Sequence, residues 1–155
     1  MRALSIAALF IVACGSSTAP APGATASPPA TGPGLTHLRL TTTHGSSGNE
    51  RSEWDATPTN LKHTEQHAGE DRNDLSIKTK GLDAAAWDRL RAAVAARKLG
   101  AVVAEPDACG GGTAHRLEMT FADGSQVIGW RHCNRGSLTG DLDGLLADLA
   151  AMIGP

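Results

Sequence analysis

The stretch HRLEMTFADGSQVIGWRH, residues 115–132, decides the fold, because it has the pattern of a β-hairpin. Apolar and polar residues alternate from Arg116 to Phe121, as expected for a strand with one buried face. Asp123 and Gly124 follow, and they are the residue types that a two-residue type I′ turn requires. The sequence therefore predicts two antiparallel strands joined by a tight turn.

A turn made of Asp123 and Gly124 also sets the predicted register of the hairpin. Trp130 is then expected on the apolar face, where it would fill the core. The same register makes His115 and His132 face each other. Such a pair could bind a metal or repel each other below about pH 6, although cross-strand histidines are usually only neighbours. The predicted partners are Ala122 and Ser125, Met119 and Ile128, Leu117 and Trp130, and His115 and His132.

A helix is predicted before the hairpin. Asp83 is a suitable N-cap, and Leu82 before it can pack on Trp87 at the fourth helical position. The pattern ends at Leu99 and Gly100, where a glycine is typical of a helix C-terminus. The apolar stripe expected to face the sheet is Trp87, Leu90 and Val94.

A second helix is predicted after the hairpin. Its N-cap is either Thr139 or Asp141, and Gly154 followed by Pro155 ends the pattern. Apolar residues recur between them at the spacing of one helix face. We interpret this stripe as core, and its members are Leu142, Leu145, Leu146, Leu149, Met152 and Ile153.

Strands are predicted upstream of both helices. Residues 35–44 are rich in threonine, and a loop leads from them to a second strand at 52–56 with Trp54 pointing inward. Residues 74–81 alternate in the manner of a third strand. Residues 59–69 fit a strand or a short helix equally well, and we leave that choice open.

The N-terminal segment has the features of an export signal. Arg2 precedes the apolar residues 3–13, which are too few for a bilayer span of about 20 residues. Ile11-Val12-Ala13-Cys14 resembles the bacterial lipobox, which implies cleavage before Cys14 and acylation of that cysteine. The alternative is an ordinary secretory signal cleaved near Ala19 or Ala21.

Three parts of the chain follow from this interpretation. Residues 1–13 are the predicted lipoprotein signal peptide, 14–34 the lipidated cysteine with a disordered Pro/Ala/Ser/Gly-rich tether, and 35–155 a single globular domain. Removing the signal leaves 13 basic against 16 acidic residues, a net charge of about −3. That balance excludes a nucleic-acid partner, since such proteins carry basic surfaces.

Two further cysteines flank the hairpin. Because export leads to an oxidising compartment, Cys109 and Cys133 are predicted to form one disulfide. A metal-thiolate or redox pair is the alternative, but neither has the C-x-x-C spacing. The predicted fold class is therefore α+β, with an antiparallel sheet, two helices packed on one face and one disulfide.

No motif predicts a cofactor or a metal. His63 and His67 have the residue type of metal ligands, yet four residues apart they converge only on a helix. Gly110-Gly111-Gly112 lacks the lysine of a phosphate-binding loop. The sequence assembles no nucleophile with a base and an oxyanion donor, so we do not expect an enzyme.

The order of elements from Leu38 to Ile153 resembles the emfourin-type inhibitors of thermolysin-like metallopeptidases. The features that carry the resemblance are the helix with Leu82 and Leu90 and the closing Leu-rich helix. The family's Gly-Gly-x-x-Gly after the first strand corresponds here to His44, Gly45, Ser46, Ser47 and Gly48. The resemblance implies that this loop contacts a partner, an exported peptidase.

We therefore expect a lipid-anchored lipoprotein of the bacterial cell envelope that acts as a binding module. Its acyl chains on Cys14 attach it to a membrane, and Gly15 after the cysteine, where an Asp would mark inner-membrane retention, favours the outer membrane. A structural envelope component without a specific ligand is the alternative, and a small enzyme is a weaker one.

Overall fold

The computed structural model describes residues 34–44, 50–67, 74–101, 111–133 and 135–154. Several predicted features lie outside these residues. They are the signal peptide, Cys14, the tether up to residue 33, Gly45 to Gly48 of the candidate loop, and Cys109.

One antiparallel sheet dominates the described structure. Its seven strands have the order β4-β3-β2-β1-β6-β7-β8, and two short strands, β5 and β9, pair separately. The helices are α1 (Ala84–Ala96) and α2 (Leu142–Ile153). The strands are β1 (Leu35–His44), β2 (Glu50–Thr57), β3 (Asn60–Gln66), β4 (Leu75–Gly81), β5 (Gly100–Ala101), β6 (Ala114–Phe121), β7 (Gln126–His132), β8 (Arg135–Gly136) and β9 (Leu138–Thr139).

The predicted α+β class is wrong in its balance, since 53% of the described residues lie in strands and 25% in helices. The main reason is the segment 59–69, which the sequence left open. Its residues Asn60–Gln66 form β3, which pairs along its whole length with both β2 and β4. The strands β1 to β4 thus form a four-stranded meander, and the fold is dominated by its sheet.

The predicted disulfide is not seen as a pair, since no disulfide joins two of the described residues, among which Cys133 is the only cysteine. Cys133 is itself disulfide-bonded, but Cys109 belongs to residues 102–110, which the structure does not describe. Within the described residues, the ladders of β6 with β7 and of β7 with β8 hold the hairpin region together by backbone hydrogen bonds.

Alternation along the central strands gives the sheet one buried face. Leu38 and Leu40 of β1 are fully buried, and their neighbours across β6 are Met119 and Leu117. Trp54 is buried on the same face, as predicted. Buried side chains of both helices join this face in one hydrophobic core; they are Trp87, Leu90, Val94, Leu142, Leu145 and Leu149.

Both helices begin at the predicted caps. The Asp83 carboxylate accepts a hydrogen bond from the Ala86 amide at 2.7 Å, and the Asp141 carboxylate accepts one from the Gly144 amide at 2.9 Å. The choice between Thr139 and Asp141 is thereby decided. Such caps satisfy amides that the first turn of a helix leaves unpaired.

The hairpin turn has three residues instead of the predicted two. The Phe121 amide donates to the Ser125 carbonyl and the Gly124 amide donates to the Phe121 carbonyl, both at 2.9 Å. Gly124 has a φ of 81°, in the left-handed region. This is a type I turn followed by a glycine bulge, the usual three-residue hairpin loop. The predicted type I′ turn is therefore wrong.

The extra turn residue shifts the register by one position and exchanges the faces of β7. Leu117 pairs with Gly129 and Arg116 with Trp130, so the predicted Leu117 and Trp130 pair is wrong. Val127 is buried instead, while Ile128 is 48% exposed. Leu138 fills the space over Gly129, where a Cβ would lie 3.1 Å from its Cδ1 atom.

Candidate functional site

The face of the sheet opposite the core, here called the outer face, carries polar and charged side chains. Arg39 of β1 alternates with the buried Leu38 and Leu40, and it pairs across the ladders with Asp55 and Glu118. The Arg39 side chain is 43% exposed. Because successive side chains of a strand point to opposite faces, this pattern defines the outer face across the central strands.

Trp130 is the aromatic residue of the outer face. The observed register places it opposite Arg116, and its side chain is half-buried instead of filling the core. Its backbone amide donates a hydrogen bond to the Ser137 hydroxyl at 3.0 Å. A Trp at such a position carries apolar area that is not used by the core, which is a common property of binding sites.

A shallow groove of about 450 Å³ lies beside Trp130 on the outer face. We call it the Trp130 groove. Its volume lies within the range of small-molecule sites, about 300–1,000 Å³. The side chains that give it its chemistry are Trp130, Arg39, Arg51, Arg116, Thr41 and Thr43.

Two of the arginines share one carboxylate. Glu53 accepts a hydrogen bond from Arg39 at 2.8 Å and another from Arg51 at 2.7 Å. Burial alone would raise the pKa of Glu53, but the hydrogen bonds from the two guanidinium groups outweigh it and lower that pKa. Glu53 is therefore ionised at neutral pH, and it holds both arginines in place.

The third arginine has its own partner. Arg116 donates from Nε to Glu118 at 2.6 Å. A guanidinium group has five N–H donors, and one such bond leaves the others able to bind a ligand. The lining of the groove thus holds three guanidinium groups and one carboxylate, Glu118, while Glu53 and Asp55 lie beside Arg39 outside that lining.

The predicted pairing of His115 with His132 is wrong. His115 pairs with Arg131, and His132 lies one position further along, so the two histidines point to opposite faces of the sheet. Nδ1 of His115 lies 3.0 Å from the Thr42 hydroxyl. Burial, and then the charge of Arg131, lower the pKa of His115, which makes its imidazole neutral at neutral pH.

The described residues contain no group of three or more His, Cys, Asp or Glu side chains arranged to hold a metal. His63 lies within β3, and His67 directly follows this strand. Two side chains four residues apart on extended backbone do not converge on one ion, as they would on a helix. His63 is buried, and its ring stacks on Trp54 with 3.7 Å between the centroids.

The Ser52 hydroxyl lies 2.9 Å from Nε2 of His63, which invites comparison with a catalytic serine and histidine. The carboxylate of Glu65 also approaches Nε2, at 3.6 Å. In a catalytic triad the acid instead contacts the other ring nitrogen, Nδ1. Burial lowers the pKa of His63. The Ser52 contact is best explained as satisfying a buried imidazole.

The predicted partner loop is described only at its first residue. Nδ1 of His44 lies 3.0 Å from the Thr113 hydroxyl, so His44 joins the end of β1 to the start of β6. Gly45, Ser46, Ser47 and Gly48 lie outside the described residues. The described residues therefore do not test the predicted role of this loop, which stays a prediction.

Sequence reasoning missed the Trp130 groove altogether. A usable signal was present in β1, where the odd positions His37, Arg39, Thr41 and Thr43 are all polar and the even positions Leu38 and Leu40 are apolar. That alternation predicts one face of Arg and Thr side chains. The groove also needed the correct hairpin register, since only that register places Trp130 on the same face as Arg39.

No protein-family model matches the chain, and no curated protein is similar to it.

Proposed function

We propose that this protein is a lipid-anchored binding module of the bacterial cell envelope, and that it holds its ligand in the Trp130 groove. The observation that carries the proposal is the position of Trp130, half-buried on the outer face beside three arginines. Exposing part of a Trp forgoes hydrophobic stabilisation, and Trp and Arg are the residue types most enriched at binding hot spots.

The proposed anchor rests on the N-terminal sequence. Ile11 to Cys14 has the lipobox pattern, and two or three acyl chains on Cys14 would hold the protein firmly, since each buried methylene contributes about 0.8 kcal/mol. Among the described residues, neither helix has the length and apolar content needed to cross a bilayer. Gly15 favours the outer membrane as the destination.

Inhibition of an exported peptidase is a narrower form of the proposal. It rests on the resemblance to emfourin-type inhibitors and on the loop from His44 to Gly48. The Trp130 groove supports binding in general, whichever class of ligand it receives. A structural envelope component would need no such groove.

The binding function can be tested by photocrosslinking in intact cells. A photoreactive phenylalanine analogue at Thr43, inside the groove, is expected to give crosslinked adducts with an envelope component. The matched control places the same analogue at Ala92, an exposed position on α1. Adducts at Thr43 should disappear when Trp130→Ala is added, because that change removes the apolar surface of the groove.

Equal crosslinking at Thr43 and Ala92, or adducts at Thr43 that survive Trp130→Ala, would contradict the proposed site. The melting temperature of the Trp130→Ala chain should be recorded alongside. It shows whether lost adducts reflect a lost contact or a lost fold.

The anchor has a separate test. Cys14→Ser removes the only sulfur that the lipobox could acylate, so the variant is expected to lose palmitate labelling and to leave the membrane fraction. Fractionation of cells expressing the variant or the wild-type chain measures this. Labelling of the variant at the wild-type level would show that Cys14 is not the lipidated residue.

A further inference from the structure

We propose that the Trp130 groove binds a carboxylate-bearing sugar unit of an acidic glycan. This inference rests on the proposed binding function and names its ligand class. It follows from three properties of the groove: a preorganised aromatic ring, an excess of guanidinium groups, and walls formed by strands whose backbone is already paired.

Gly136 and Ser137 restrain the position of Trp130. Gly136 of β8 has a φ of 134° and packs so closely that a Cβ there would collide with the Trp130 carbonyl oxygen and come within 2.9 Å of Cε3 on its ring. The hydrogen bond from the Trp130 amide to Ser137 adds a second restraint. A ring fixed in this way offers a flat apolar surface, and little conformational entropy is lost when a ligand binds to it.

The charge of the groove favours a carboxylate. Arg39, Arg51 and Arg116 line it together with a single carboxylate, Glu118, so guanidinium groups are in excess among the lining side chains. The predicted mature chain carries a net charge of about −3, so this surface runs against the overall sign. Guanidinium groups bind carboxylates through paired N–H donors in a planar geometry.

Thr41 and Thr43 also line the groove, opposite Arg116 and Arg51 across the ladders, and their hydroxyls can both donate and accept hydrogen bonds. A ligand that fits has an apolar ring face for Trp130, a carboxylate for the arginines and hydroxyls for the threonines. An acidic sugar unit combines all three on one ring.

The position of the groove within the sheet disfavours an extended peptide. Apart from Trp130, its lining residues lie on β1, β2 and β6, and each of these strands is paired on both sides. Peptides that bind sheets commonly do so by adding a strand to an open edge through main-chain hydrogen bonds. Along the described parts of β1, β2 and β6 there is no such edge, so side chains must hold a ligand there.

The test uses the full chain purified in detergent micelles. The probe is a tetrasaccharide of alternating glucuronic acid and N-acetylglucosamine, and the matched neutral probe is chitotetraose. Trp54 and Trp87 are buried at 5% and 7% exposure, so a change in tryptophan fluorescence reports on Trp130. We expect saturable binding of the acidic probe and at least about tenfold weaker binding of the neutral one, because the arginines lose their partner.

Variants locate the site by calorimetric titration of the acidic probe. Arg116→Gln and Trp130→Leu are each expected to weaken binding at least about tenfold. Ile128→Ala is the control, since Ile128 is an exposed residue of the same face that does not line the groove. It should bind like wild type. Thermal melts of all three chains check that they remain folded.

Several outcomes would overturn the inference. They are the absence of saturable binding, equal affinity for chitotetraose, equal losses in Ile128→Ala and Trp130→Leu, or tight binding of a tetraglutamate peptide in place of the glycan. If crosslinks at Thr43 are nevertheless found in cells, the proposed binding function stands and only the ligand class fails.

Discussion

Leu117→Ala is expected to lower the free energy of unfolding by about 2–5 kcal/mol, the usual cost of deleting a buried leucine. Leu117 is fully buried on β6, next to Leu40 of β1 and opposite Gly129 of β7. The strand that carries it is paired with β1 on one side and β7 on the other, so the surroundings cannot collapse easily into the cavity. Urea unfolding followed by circular dichroism measures the loss.

Thr120→Ala is the matched control for this prediction, since Thr120 lies on the same strand but on the outer face. Its side chain makes no contribution to the core, and the expected loss is below about 1 kcal/mol. Similar losses for the two variants would show that the buried and outer faces of β6 are wrongly assigned. The position of the Trp130 groove would then be wrong as well.

Gly136→Ala is expected to lower the free energy of unfolding by about 2–4 kcal/mol, from a strained backbone and a steric clash together. The φ of 134° is unfavourable for any residue with a Cβ, and that Cβ would collide with the Trp130 carbonyl oxygen. Because the same contact positions Trp130, the variant should also show a shifted tryptophan emission maximum. Denaturant unfolding and emission spectra measure both effects.

The comparison variant is Gly124→Ala in the hairpin turn. Gly124 also has a positive φ, 81°, but a Cβ there would meet nothing within 4 Å. This substitution should lower the free energy of unfolding by only about 1–2 kcal/mol, the cost of placing a residue with a Cβ at a positive φ. The tryptophan emission spectrum should be unchanged. If Gly136→Ala and Gly124→Ala lowered the free energy of unfolding equally, the close packing of Gly136 on Trp130 would contribute nothing to stability.

The helices were predictable because their signals are local. Asp83 and Asp141 act as N-caps through hydrogen bonds to amides three residues away, and the apolar stripes repeat within each helix. Local hydrogen bonds and periodicity involve only neighbours in sequence. Both helices accordingly lie where the pattern predicts them, although α1 ends at Ala96, before the predicted Leu99.

The hairpin shows where local reasoning failed. Asp123 and Gly124 suit a type I′ turn, yet they equally suit a type I turn followed by a left-handed glycine. The two turns differ by one residue, and a shift of one residue exchanges the faces of the second strand. Packing decides between them, because the observed register buries Val127 and lets Leu138 cover Gly129.

The sequence by itself determined the two helices with their caps, the alternation of β1 and the inward position of Trp54. Tertiary structure alone decided that residues 60–66 are a strand between β2 and β4, that His115 and His132 point apart, and that Trp130 lies beside Arg39 and Arg116. The physical reason is the range of the interactions. Caps and periodicity act over a few residues, whereas strand pairing and register depend on partners far along the chain, whose combined burial selects one arrangement.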